Sequence, residues 1–539
     1  MKSKRRPEAI MHAANNNAKN HIIDRVEDCV KDRHVQVLSL IVLLGLVLRL
    51  YHLGVESIWQ DEGFSIHYAG LSLADIAGQL PQIDLNPPLH IILLHYWMML
   101  FGQSEVVVRL LSALFGAGAI IAIYLVATRL FKRAVGLLSA SFLALSPFMV
   151  YYSQEARGYS LLVLLTLLSF YFFLRLLEKP TRGVIAGYTV ASVLLLYVHL
   201  FGIFLVIAQS LYYISVRFLV KPAARGLNER SLKIWLLTQA ALLILYVPWL
   251  WVLYSRLSLL AANKVGLGAW SIQKPTLMSL VDMVSSFSGG AFAALILVGL
   301  SIVAIVDIFE NKSADARADK TMGDKVHHVI ATADKNFHDS RRSLLFVLLW
   351  LLVTVVIAFF VSLVAVPMFA AKYMIGAVPA LFMIAARGVA ALENRYAKAA
   401  AIAIVVVISV VVLWGYYGDT VKEPWRDAVQ AVESQAQPGD VVVFNIGACR
   451  FNCFDYYAKR TDITNISFPQ DAITVDDTAL CSVLPQLKGH GRIWFVFLGM
   501  PQNLDAPRRA LSSGYTVAYR HIFTAKQMYP INVYLFESR

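Results

Sequence analysis

The sequence predicts a polytopic α-helical membrane protein of about eleven spans with a C-terminal extracytoplasmic α/β domain. Three observations predict it. The 539 residues are 58% hydrophobic, with a mean hydropathy of +0.61; a soluble domain is about 45–50% apolar, so the excess must meet lipid. Apolar runs recur from residue 36 to 417, many of them near the ~20 residues that carry a helix across a ~30 Å hydrocarbon core. From residue 418 onward the chain turns less apolar and takes on soluble-domain signals.

In chain order, residues 1–35 form a polar, basic tail, too long and polar for the n-region of a cleaved signal, and are expected in the cytosol. The membrane domain is expected over 36–417. Its spans are predicted near 36–54, 106–131, 134–152, 159–177, 183–198, 200–220, 232–254, 290–309, 343–365, 373–392 and 397–417. The charged, Ala-rich stretch 310–342 reads as a flexible cytosolic linker. In the exported domain, 418–539, Pro424-Trp425 opens a helix stopped by Pro438-Gly439. DVVVFN (440–445) and RIWFVFL (492–498) read as buried strands, and YTVAYRHI and NVYLFE as later ones.

Charge orients this plan. The net charge is +13. On a soluble chain that would suggest nucleic acid, but here the excess lies in loops on one side of the predicted spans, so no nucleic-acid partner is expected. The basic clusters Lys132-Arg133, Lys179–Arg182, Lys221–Lys233, Lys312–Arg342 and Arg387–Lys398 alternate with loops poor in Lys and Arg. The positive-inside rule then places the N-terminus in the cytosol and residues 418–539 outside the cytoplasmic membrane. Of the four cysteines, Cys29 falls inside and Cys449, Cys453 and Cys481 outside, where at most one structural bridge is expected. CRFNC lacks a second ligand pair at zinc spacing. Asn465-Ile466-Ser467 fits a glycosylation sequon.

The candidate chemistry gathers on the outer side. Residues 55–105 contain no Lys or Arg but include Glu56, Asp61, Glu62, Asp75, Asp84 and Glu105. A carboxylate beside a span is ordinarily a solvated loop residue. Here the loop is apolar and aromatic, and it offers no base to neutralise the Asp61-Glu62 pair. YYSQEARGY (151–159) squeezes Glu155 and Arg157 between two spans on the same side. Charges at that depth are costly and turn to a cavity or a partner. Tyr151, Tyr152 and Tyr159 read as interfacial belt residues. In DLNPPLH (84–90), Asn86 is placed to cap a helix opened by Pro87-Pro88, and a helix start can take a phosphate.

WQDE, NPPL, YSQEARGYSLLVLL, KYMIGAVPALFMIAARG and KEPWRDAVQAVESQAQPGDVVV occur in this order. The ordered set resembles the bacterial glycosyltransferase family 39-like proteins of the GT-C superfamily, and is similar to protein O-mannosyltransferases and to the aminoarabinose transferases that modify lipid A. The resemblance covers the chain after residue 35. It implies a polyprenyl-phosphate-linked sugar donor, a lipid, polysaccharide or protein acceptor, and a site at the outer membrane face. It makes Asp61 the proposed base with Glu62 beside it, and Glu155 the second acidic position. The family's HPPL stands here as NPPL, which removes a histidine at Asn86 and leaves Asp84, Asn86 and His90 as the substrate loop. Lys372, next to Tyr373, and Arg157 become candidates for the donor phosphate. The resemblance admits a divalent metal with His199 as ligand, and no other cofactor.

These residues suit inverting glycosyl transfer. Carboxylates favour the cationic sugar, cations favour the departing phosphate, and a base activates an acceptor hydroxyl. The alternative from another class is a transporter or flippase of polyprenyl-linked sugars. Such a protein is expected to carry ionisable groups near the midplane and inverted repeats. Here the predicted spans are nearly free of charge and no repeat is visible. A catalytically silent scaffold on the same fold is a third reading.

Overall fold

A computed structural model describes residues 32–219, 229–261, 273–318 and 327–539, apart from positions 470, 472, 473, 501, 503, 504 and 527; within 311–339 only the backbone is described. The basic tail 1–31, Cys29 and the Lys221–Asn228 cluster lie outside the described residues.

All eleven predicted spans are helical. They are α1 (Arg33–Leu50), α5 (Glu105–Leu130), the pair α6 (Arg133–Leu145) and α7 (Pro147–Ser153), α8 (Tyr159–Glu178), α9 (Arg182–Val198), α10 (Gly202–Leu219), α11 (Glu229–Ala261), α13 (Ala291–Ala318), α14 (His327–Val364), α15 (Val378–Ala391, entered through a 3₁₀ segment Ala371–Ala377) and α16 (Arg395–Gly418). Among the described residues eight helices are long and apolar enough to cross a membrane, and the α6–α7 pair, bent by 60°, makes a ninth. Helices α9 and α10 are shorter. The bend sits at Ser146-Pro147. Proline disfavours a helical residue before it, and the Ser146 side chain caps α7 by accepting from the Met149 amide. The linker expected over 310–342 is different in backbone: α13 runs on to Ala318 and α14 starts at His327.

The stretch 55–105 is a small helical platform and not an open loop. It holds α2 (Gln60–Ala69), α3 (Leu73–Gln79) and the apolar α4 (Leu89–Phe101). Its own apolar cluster joins Ile58, Ile66, Ile76, Leu80 and Leu94 to Val108 of α5. Asn86 does not cap α4. Pro88 stands at the N-cap without a side-chain bond, and the Asn86 amide oxygen instead accepts from the Leu200 amide, 3.3 Å away, at the α9–α10 break. A further helix, α12 (Leu277–Ser288), packs beside α7 and the 3₁₀ segment.

The membrane core centres on α15, whose apolar face is almost wholly covered. Trp350 of α14 stacks on Phe170 of α8 with ring centroids 3.8 Å apart, and its indole donates to the Gly376 carbonyl. That bond fixes the 3₁₀ segment ahead of α15, in which Lys372 lies. At Gly388 any Cβ would overlap the Leu300 carbonyl, so glycine sets the close approach of α13 and α15. Two buried arginines break the charge-free reading of the spans. Arg49 in α1 donates to Ser153 Oγ and to the Gly45, Ala144 and Leu143 carbonyls, and Arg109 in α5 pairs with Glu62.

The C-terminal domain follows α16. Helix α17 (Trp425–Glu433) precedes a five-stranded sheet of order β2-β1-β3-β5-β4, with β1 (Val441–Phe444), β2 (Thr464–Ser467), β3 (Arg492–Leu498), β4 (Tyr515–Phe523) and β5 (Ile531–Ser538). Strand β1 pairs parallel with β2 and β3, and β5 runs antiparallel between β3 and β4. One face buries Val442, Phe444 and Trp494 against α17; the other buries Val441, Val443 and Phe495 under short helices. Asn465 of the sequon is half-buried within β2. Cys449, Cys453 and Cys481 are free thiols, so no bridge is present among the described cysteines.

Candidate active site

Helix α2 starts at Gln60, so Asp61 and Glu62 occupy its first turn, where the helix dipole favours negative charge. Successive helical residues point about 100° apart, and the two carboxylates meet opposite surroundings. Glu62 is completely buried. Arg109 grips it with two parallel bonds of 2.7 Å, the Ala156 amide donates to Oε1 at 3.0 Å, and Lys422 Nζ lies 3.1 Å from the same oxygen. Burial alone would raise its pKa; Arg109 and Lys422 outweigh that and hold it at about 2. The cations absent from the acidic loop therefore come from α5 and from the C-terminal domain.

Asp61 faces the other way, and its side chain keeps 29% of its exposure. Lys372 Nζ donates to Oδ2 at 2.8 Å. Burial raises the Asp61 carboxyl, but the Lys372 ammonium and the Arg157 guanidinium hold it below the usual carboxylate value. Arg157 reaches the Asp61 carbonyl at 3.4 Å and Ser65 Oγ at 3.3 Å, and lies over the Phe64 ring. Lys372 also sits over the rings of Tyr373 and Trp59, and the Tyr373 ring lies tilted against His199, 5.4 Å between centroids. The two cations named as candidates for the donor phosphate are thus already engaged with Asp61.

Glu155 occupies the break between α7 and α8 and is 1% exposed. Among the described residues neither of its oxygens has a hydrogen-bond partner. Burial, only partly offset by Lys422 and reinforced by the charges of Glu62 and Asp61, raises it to about 7. A carboxyl so placed can exchange a proton near neutrality.

Asp84, Asn86, His90, Arg157, Tyr159 and His199 line one cleft. The structure so brings together three stretches far apart in sequence: the substrate loop, the α7–α8 break and the α9–α10 break. Tyr159 is buried, 2% exposed, and not a belt residue at the membrane surface. Its hydroxyl, His90 Nε2 and His199 Nε2 are all buried without a hydrogen-bond partner among the described residues. Burial, then the Arg157 charge, lowers both imidazoles to about 3, so they are neutral. His199 Nδ1 lies 3.2 Å from the Phe201 amide, which donates to it and leaves the proton on Nε2. The residues do not fit a metal at His199: it faces Arg157 and Lys372, and among the described residues no three His, Cys, Asp or Glu side chains gather as ligands.

Arg109, Lys422 and Glu423 were missed by the sequence reading. Arg109 had a signal, a charge inside an apolar run. Lys422-Glu423 stood in the KEPW stretch without a local indication of its partner. Glu423 is buried, its Oε2 accepting from the Trp425 indole at 2.8 Å and from the Gln60 amide at 3.3 Å.

Comparisons with known proteins agree with this architecture. The profile of the family described as dolichyl-phosphate-mannose-protein mannosyltransferase matches residues 85–252. No curated protein matches the chain in sequence. The crystal structure of ArnT from Cupriavidus metallidurans in the apo state is similar at TM-score 0.55 and 15% identity, covering 92% of this chain and 97% of that one. Its form bound to undecaprenyl phosphate is similar at TM-score 0.55 and 13% identity, with the same coverage. The oligosaccharyltransferase AglB from Archaeoglobus fulgidus, in complex with an inhibitory peptide and a dolichol-phosphate, reaches TM-score 0.52 at 13% identity over 93% of this chain and 74% of that one. The fold is that of the GT-C superfamily.

Proposed function

We propose that this multi-pass membrane protein is a glycosyltransferase that moves a sugar, a hexose or a pentose, from a polyprenyl-phosphate carrier to a cell-envelope acceptor, with inversion at the anomeric carbon. The observation that carries the reading is the Asp61–Lys372 ion pair, a part-exposed carboxylate and its cation beside Arg157 and a Glu155 that has no hydrogen-bond partner among the described residues. The GT-C fold and the two similar structures that hold undecaprenyl phosphate and a dolichol-phosphate support the donor class. The acceptor is a glycolipid, polysaccharide or protein at the outer face of the cytoplasmic membrane, with the N-terminus in the cytosol and residues 418–539 outside, as the one-sided Lys and Arg distribution suggests.

In the proposed step the donor phosphate takes up Lys372 and Arg157. Asp61 loses its neutralising cation at that moment and becomes a stronger base. It accepts the proton of the acceptor hydroxyl as that oxygen attacks the anomeric carbon. The bond from that carbon to the phosphate oxygen breaks, and its electron pair leaves with the phosphate, whose charge the two cations stabilise. Glu155, ionised above about pH 7, supports positive charge on the sugar side, and Glu62 fixes α2 without meeting substrate. Neutral His90 and His199 offer donors to sugar hydroxyls in the cleft, with Asp84 and Asn86 shaping its wall.

The test is a release assay with purified protein and a panel of polyprenyl-phosphate hexoses and pentoses, together with mass spectrometry of surface glycolipids and glycoproteins from cells with and without the gene. Sugar-dependent release of polyprenyl phosphate and loss of one glycan in the deleted strain are expected. An unchanged glycan profile together with no release from any donor would contradict the reading.

A further inference from the structure

Three chain breaks close on the cleft that holds His90, Tyr159 and His199. At Gly158 a Cβ would stand 3.2 Å from His90 Cβ and 3.4 Å from the Val198 side chain. Glycine there lets the start of α4 and the end of α9 press onto the α7–α8 break. The Tyr159 and His199 rings then lie 6.2 Å apart, and the Arg157 guanidinium stands over Tyr159 at 6.0 Å. The space left among these side chains is about 30 Å³. One water-sized group needs about 10–15 Å³, so the cleft admits about two hydroxyl groups of a sugar and not its ring.

The polar groups of the cleft fall into two sets. Asp84 Oδ1 accepts from the backbone and side-chain amides of Asn86 at 2.8 and 3.0 Å, Asn86 Oδ1 accepts from the Leu200 amide, and Ser65 Oγ accepts from Arg157. His90 Nε2, His199 Nε2 and the Tyr159 hydroxyl have no partner among the described residues, although the two histidines are only 5% and 6% exposed. Buried polar atoms left unpaired are costly, and three of them in one cleft call for a ligand that pairs them. Their chemistry defines that ligand. His199 Nδ1 accepts from the Phe201 amide, so Nε2 carries the proton and needs an acceptor. The Tyr159 hydroxyl can donate and accept. A sugar hydroxyl also does both, whereas an ammonium only donates. Among the described lining residues Arg157 is the cation and Asp84 the carboxylate. Their charges cancel, so an ammonium in the cleft meets no surplus negative charge.

We infer that His90, Tyr159 and His199 are the specificity-determining residues of the site, reading two neighbouring hydroxyl groups of an uncharged donor sugar and excluding amino sugars. The inference rests on the glycosyl-transfer reading and narrows it: the donor is a neutral hexose or pentose with those two hydroxyls free. A deoxy sugar leaves a buried group unpaired. An amino sugar brings a donor to the donor on His199 and a positive charge towards Arg157.

The experiment uses the full-length protein in nanodiscs and reads both binding and release. The probes are polyprenyl-phosphate hexoses and pentoses, their monodeoxy and monoamino analogues, and bare polyprenyl phosphate. Loss of a hydroxyl at two neighbouring ring positions is expected to weaken binding and kcat/KM by about ten- to a hundred-fold each, with the amino analogues at those positions no better. Tyr159→Phe removes only the hydroxyl, and His199→Phe replaces the imidazole by an apolar ring. Each is expected to erase the penalty at one of the two positions and to keep it at the other. A purely structural role would lower every donor by one factor. Should His199→Phe not fold, Tyr159→Phe makes the comparison alone. An amino sugar that matches its neutral parent overturns the inference, as does a deoxy penalty as large in the folded variants as in wild type. Position-dependent binding without release from any donor upholds the cleft's role and refutes the proposed transfer. Release with equal binding of the bare carrier and of every sugar phosphate does the reverse.

Discussion

The two sides of one helical turn behave as different materials. On the inner side of α2, Glu62 meets a bidentate arginine, a backbone amide and a lysine. On the cleft side, Asp61 holds one lysine and part of an arginine, and Glu155, His90, His199 and Tyr159 have buried polar atoms with no partner among the described residues. Polar groups inside a protein are normally hydrogen-bonded, because leaving one unmade costs about 1–3 kcal/mol. A fully satisfied network fixes geometry. An unsatisfied one stores capacity for a ligand, and the two lie a single residue apart.

If this contrast is right, damage to the inner side shows first as lost stability. Arg109→Met leaves buried Glu62 with the Lys422 ammonium and the Ala156 amide but without its bidentate cation, and breaking one partner of such a pair costs about 3–5 kcal/mol. A large fall in melting temperature and in folded yield is expected by thermal denaturation in detergent; a wild-type melt would break the comparison. On the cleft side, Lys372→Ala is expected to leave the fold in place and to raise the apparent KM for the lipid donor by about ten-fold or more, the scale of one charge-assisted bond. Unchanged donor kinetics would remove Lys372 from the phosphate site.

The smallest expected effect is a pH dependence of stability. Glu155 rises to about 7 in the fold, with burial first among its causes, above an unfolded value near 4.3–4.5. A raised acid contributes stability that is present below the unfolded value and is lost as pH climbs through the folded one. Glu62 is held at about 2; its contribution is present above the unfolded value and falls away only as pH drops toward 2. Melting temperature should therefore decline from pH 5 to pH 7.5, and Glu155→Gln should reduce that slope, the remainder belonging to Glu423, which burial also raises to about 7. An equal slope in the variant would show that Glu155 does not titrate in this window.

How much of this could be read in advance depended on whether a signal was local. Strand β3 was placed at its observed bounds, 492–498, because a continuous apolar run between turn residues has few other outcomes. Strand β2, Thr464–Ser467, was invisible: an edge strand with its residues exposed or half-buried carries no period. Asp61 and Arg157 were singled out as charges beside predicted spans and Lys372 from the motif resemblance, and they do converge. Their mutual pairing was not legible, since the reading named the cations only as candidates for the donor phosphate. Lys422 and Arg109 contact Glu62 across long sequence separations that no local pattern encodes. Asn86 was read as a cap from its spacing to Pro87-Pro88, whereas its amide joins two segments over a hundred residues apart.

The most direct measurement sets the adjacent carboxylates against each other. Asp61→Asn and Glu62→Gln are each purified and assayed for release from the donor on which the wild-type protein turns over, with melting temperature recorded on the same samples. Asp61→Asn should melt like wild type and lose about 10²-fold or more in turnover, the scale of a positioned base. Glu62→Gln should melt markedly lower, with whatever protein remains folded retaining more activity than Asp61→Asn. Near-normal turnover in well-folded Asp61→Asn would contradict the account.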